Sequence, residues 1–68
     1  MAQVTKDTII MDALRMDPGT AEFFLGIGMH CLGCPASQME TLEEAAMVHG
    51  IDSALLVEKI NAAMAAEQ

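Results

Sequence analysis

Two cysteines stand two residues apart in Cys31-Leu32-Gly33-Cys34-Pro35, and they are the only thiols in a chain of 68 residues. Thiols at this spacing have three common uses: a reversible disulfide, half of a metal site, or a turn with two small hydrophobes. Redox use needs sulfurs close enough to bond, one thiol ionised near neutrality, and access to solvent. The spacing meets the first need, and Gly33 eases the tight turn between the sulfurs. Pro35 suits the first position of a helix, which would place Cys34 at the N-cap. Free amides and the positive end of the helix dipole favour a thiolate there. Cys34 is therefore expected to ionise more readily than Cys31, whose local help is the neighbouring His30. On these grounds Cys31 and Cys34 are read as the catalytic pair of a dithiol site that needs no cofactor.

Zinc or an iron–sulfur cluster is the main rival for the same Cys31 and Cys34. Structural zinc takes four ligands, and Cys31, Cys34, His30 and His49 are the candidates. Adjacent side chains such as His30 and Cys31 rarely converge on one ion, and no second paired half follows. A metal or cluster would more naturally be shared across a homodimer, with each chain giving its thiolates. A purely structural disulfide explains little, because so short a loop removes little chain entropy from the unfolded state. Nor is a thioredoxin scaffold expected, since no βαβ pattern surrounds the pair.

The other reactive side chains have local explanations. His49 falls in the last turn of a helix before Gly50, where a histidine bonds the free carbonyls and suits the dipole. The alternative is an imidazole that reaches the thiols. The seven methionines are scattered and read as core filling rather than a copper site. Glu40, Glu43 and Glu44 read as a solvated helix start, favoured by the dipole, and not as catalytic carboxylates.

Lys and Arg number 3 against 10 Asp and Glu, a net charge of −7. Binding to a nucleic-acid backbone needs clustered cations, and an anionic membrane surface would repel this chain. No nucleic-acid or membrane role is expected. The polar start, Met1 to Lys6, carries no signal-peptide pattern. The longest nearly apolar stretch, Phe23 to Met29, falls far short of the roughly 20 residues that span a bilayer. A cytoplasmic location is expected, where thiols are kept reduced.

The elements that would position the pair read as helices. Thr8 is expected to cap a first helix with Ile10, Ala13 and Leu14 on its apolar face. Asp17-Pro18-Gly19 should end it and open a second, with Asp17 as N-cap. Ala21, Phe24 and Leu25 would form the buried face of that helix, and Gly28 its stop. A short helical turn follows from Pro35. Thr41-Leu42-Glu43-Glu44 is a capping box, opening a helix with Leu42, Ala45, Ala46 and His49 in line before Gly50. Asp52 would cap the last helix, whose core face is Leu56, Ile60, Ala63 and Met64. The expectation is one all-α domain over residues 1–68, a small bundle of four helices plus a short turn after the Cys-x-x-Cys loop.

The blocks Gly28-Met29-His30-Cys31-Leu32-Gly33-Cys34-Pro35, Glu40-Thr41-Leu42-Glu43-Glu44-Ala45-Ala46 and His49-Gly50-Ile51-Asp52 resemble the hybrid-cluster-protein-associated redox disulfide domain. Thr8-Ile9, Pro18, Ala21 and Phe24 also fit, so the likeness runs along nearly the whole chain. The pattern is also similar to the N-terminal domain of iron–sulfur repair proteins, which carry adjacent cysteines. The resemblance implies a small helical fold with a redox-active or metal-linked pair at Cys31 and Cys34. It further implies a protein partner tied to iron–sulfur or hybrid-cluster metabolism. The expected function is thiol–disulfide exchange with that partner. The alternatives are a metal or iron–sulfur accessory module and a non-catalytic interaction domain.

Overall fold

The computed structural model describes residues 3–29 and 35–66. Helix α1 covers Ile10–Met16, a 3-10 turn at Pro18–Thr20 runs into α2 at Ala21–Gly26, and a single turn, α3, covers Pro35–Gln38. Helices α4 and α5 cover Leu42–Val48 and Ser53–Ala66. The fold is all-helical, as expected. Among the described residues the only β pairing is an isolated antiparallel bridge between Ile9 and Thr41.

That bridge corrects the expected start of α1. Thr8 is not its cap; the N-cap residue is Ile9, which makes no side-chain cap bond. The Thr8 hydroxyl accepts instead from the Thr5 amide at 2.8 Å. The free amides at the helix starts are met by distant backbone. Ile10 N–H donates to the Glu40 carbonyl at 2.9 Å, Leu42 N–H to that of Thr8 at 2.9 Å, and Glu43 N–H to that of Lys6 at 3.0 Å. The segments leading into α1 and α4 thus meet some of each other's free amides, and Ile10 N–H finds its partner without a Thr8 cap.

Asp17 behaves as its sequence position suggests. Its amide donates to Ala13 O at 3.0 Å, closing α1. Its Oδ1 accepts from Gly19 N–H at 2.8 Å, opening the next turn at Pro18. The buried face beyond it differs from expectation. Thr20 is buried, and its hydroxyl bonds the carbonyls of Asp17 at 2.7 Å and Ala13 at 3.2 Å. Held there, Thr20 starts a face that continues through Phe23, Phe24 and Ile27 at helical spacing. Leu25 is turned away and is 54% exposed, while Ala21 is only half-buried.

Helix α4 opens with the expected capping box: Thr41 Oγ1 accepts from Glu44 N–H at 3.0 Å, and Glu44 Oε1 accepts from Thr41 N–H at 2.9 Å. Asp52 caps α5, its Oδ1 accepting from Ala54 N–H at 2.9 Å. Leu42, Ala45 and Ala46 of α4 pack on α5, whose Leu56, Ile60 and Met64 are buried; Ala63 is half-buried. Val4 closes the core from the N-terminal segment. Asn61 on α5 holds it there, accepting from Val4 N–H at 2.8 Å and donating to Val4 O at 2.9 Å. The methionines divide, contrary to expectation. Met29 and Met64 fill the core, but Met16, Met39 and Met47 lie off the buried faces and are exposed.

Candidate functional site

The cysteines lie in the sequence between α2 and α3, and the end of α2 is built from local backbone chemistry. At the end of α2, Met29 N–H donates to Phe24 O and Gly28 N–H to Leu25 O, both at 3.1 Å. This pair of reversed bonds is a Schellman ending, which needs a residue of positive φ. Gly28 supplies it at +105°. Met29, the next residue, is buried. The chain is therefore anchored two residues before Cys31.

Helix α3 covers Pro35–Gln38, so Pro35 is helical, in keeping with a helical turn after the Cys-x-x-Cys loop. Its described part is 4 residues long, too short for a strong helix dipole. Residues 30–34 lie outside the described residues. The expected placements of His30, Cys31 and Cys34, including Cys34 as N-cap, fall within that span.

The end of α4 repeats the ending of α2. Ile51 N–H donates to Ala46 O at 2.9 Å and Gly50 N–H to Met47 O at 3.3 Å, with Gly50 at φ +72°. This corrects the role expected for His49. The carbonyls of the last turn are taken by backbone amides, and Ala45 O accepts from the His49 amide itself at 3.2 Å. Among the described residues the half-buried imidazole makes no hydrogen bond. Its ring lies over Gly28 instead: a Cβ at Gly28 would stand 3.4 Å from His49 Nδ1 and 3.8 Å from Cε1. The two glycine-ended helices meet here, and His49 faces the backbone that leads to Cys31.

Glu43 and Glu44 lie in the first turn of α4, where acidic residues are expected. Glu43 pairs with Lys6 at 3.9 Å. The bond from the Thr41 backbone amide, reinforced by the Thr41 side chain, holds the Glu44 carboxyl below its usual range. Among the described residues no three His, Cys, Asp or Glu side chains group around a common point that could hold a metal ion, and no helix is long and apolar enough to cross a membrane.

The glycine-plus-apolar pairs Gly28-Met29 and Gly50-Ile51 were a readable signal for both Schellman endings. Their convergence on His49 is a tertiary fact that local sequence does not carry.

A family model described as a domain of unknown function, DUF1858, matches residues 4–57. Two solution structures share the fold. One, of a protein from Clostridium thermocellum, is 50% identical with a TM-score of 0.80, over 97% of this chain and 94% of its own. The other, of an uncharacterised protein from Methanocaldococcus jannaschii, is 35% identical with a TM-score of 0.81, over 100% of this chain and 93% of its own. No curated protein matches the chain.

Proposed function

The chain belongs to the family of the DUF1858 domain of unknown function, and from that premise we propose a thiol–disulfide redox protein whose Cys31 and Cys34 form a reversible disulfide. The observation that carries the reading is the Cys-x-x-Cys spacing, followed directly by helical backbone over Pro35–Gln38. The Cys-x-x-Cys spacing itself favours the thiolate form of one of its sulfurs. The His49 imidazole lies against the anchored Gly28-Met29 junction that precedes the pair.

The partner in this proposal is a protein, and the reaction is exchange through a mixed disulfide. The family resemblance ties that partner to iron–sulfur or hybrid-cluster metabolism, and a cytoplasmic setting would supply the reduced form.

The test is equilibration in buffers of graded dithiothreitol redox ratio, with the remaining thiols counted after acid quench. The proposal expects both thiols to disappear together in one intramolecular two-electron transition, about 30 mV per tenfold change in ratio. Cys31→Ser and Cys34→Ser should each abolish it. Oxidation that yields only disulfide-linked dimers would contradict the reading.

A further inference from the structure

Beside the junction that leads to Cys31 lies a groove of about 330 Å³, walled by Phe23 and Ile27 at the end of α2 and by Leu55 and Leu56 at the start of α5. Leu56 is its buried floor, while Leu55 is 50% exposed. Glu22, Asp52 and Lys59 add the charges of its lining. Ile27 stands four residues before Cys31 along the chain.

We propose that this groove docks the redox partner, and that the partner presents its disulfide in a basic, apolar segment. The inference rests on the dithiol reading above and adds the class of substrate. Half-exposed leucine beside a preformed apolar groove offers burial to an apolar side chain. Charge selects among apolar occupants. The groove carries two carboxylates against one ammonium, and the molecule around it carries −7. That field attracts a basic segment and opposes a second copy of this chain, which would bring another −7.

The chemistry balances without a further reactant. One thiolate of the pair attacks a sulfur of the docked disulfide, forming a mixed disulfide and releasing one partner sulfur as thiolate. The second thiolate displaces the other partner sulfur and closes Cys31–Cys34. Two electrons pass to the partner, and its two released sulfurs take up the two protons.

The experiment uses the full reduced chain and three disulfides. One is bis(2-hydroxyethyl) disulfide, which is small and neutral. The others are a peptide dimer with its cysteine between Leu and Lys residues, and the same dimer with Glu for Lys. The Lys peptide should be reduced at least about tenfold faster than the Glu peptide at low salt, with the gap closing at high salt. Leu55→Ser and Glu22→Lys should each narrow the gap, and Met47→Ser, on the exposed face of α4, should not.

Docking is read separately with Ser-for-Cys versions of both peptides. Amide shifts centred on Phe23, Ile27 and Leu55 are expected with the Lys version alone. Equal rates for the two peptides, a gap indifferent to Leu55→Ser, shifts centred elsewhere, or a dimer of this chain that closes the groove would each overturn the proposal. Failure to reduce even the neutral disulfide would instead defeat the dithiol reading, with the shifts still deciding the groove.

Discussion

Gly28 does two things at once: it takes the positive φ that ends α2, and it leaves room for the His49 ring. Gly28→Ala should therefore destabilise the protein by about 1–2 kcal/mol from the backbone conformation. Gly26→Ala is the contrast. It sits at the last position of α2 with no atom within 4 Å of its Cβ site, and alanine there should stabilise by about 0.5–1 kcal/mol. Urea titrations of both variants check the pair, and destabilisation by both would mean the glycines are placed wrongly. Glu44 gives a pH signature. Its carboxyl is held low by Thr41, so ionised Glu44 adds stability above its unfolded pKa, and that increment is lost as pH falls through the lower folded value. Gln keeps the reciprocal bond of the capping box but not the charge. The wild type should exceed Glu44→Gln in stability at pH 7 and converge with it in acid, as followed by thermal melts across pH.

At the scale of elements, the most telling bond pair is the Asn61 amide on the backbone of Val4. It pins an extended segment to α5 and seals the core with Val4. Asn61→Ala should cost about 1–3 kcal/mol by leaving Val4 N–H and C=O without their partner, and hydrogen exchange at the Val4 amide should speed up before that of α5. Exchange accelerated equally throughout would refute a local clamp. Nothing near Val4 or Asn61 in the sequence announces this contact, because the two are joined only in the folded chain. The same holds for the bridge between Ile9 and Thr41, which made a Thr8 cap unnecessary. By contrast, Asp17-Pro18, the Thr41–Glu44 box, Gly50 and Asp52 were legible, since each acts on amides within a few residues of itself. Leu25 falls outside the expected face because one buried threonine, held by the carbonyls of Ala13 and Asp17, sets the phase of the helix that follows. At the candidate site, a helical turn from Pro35 and Gly28 as a stop were legible. The meeting of His49 with Gly28 was not, for it depends on how α2 and α4 are brought together.

For the whole molecule, buried side chains come from the N-terminal segment and from α1, α2, α4 and α5, and α4 packs directly on α5. Closing the short Cys31–Cys34 loop should therefore change stability by at most about 2 kcal/mol on chain-entropy grounds. Reduced and oxidised forms should both be folded at 25 °C, a point that circular dichroism of the two forms decides. A reduced form that is unfolded would make the bridge structural. The strong acidic balance belongs to this scale too, since it shapes which partners can approach rather than how the helices pack. The central claim is that Cys31 and Cys34 exchange electrons as a pair, and one sample tests it most directly. Protein purified without oxygen is assayed for zinc and iron, and its thiols are counted before and after mild oxidation. The account predicts two free thiols per chain with no stoichiometric metal, both lost on oxidation while the chain stays monomeric. Thiols that are masked until a chelator removes stoichiometric zinc or iron would contradict it.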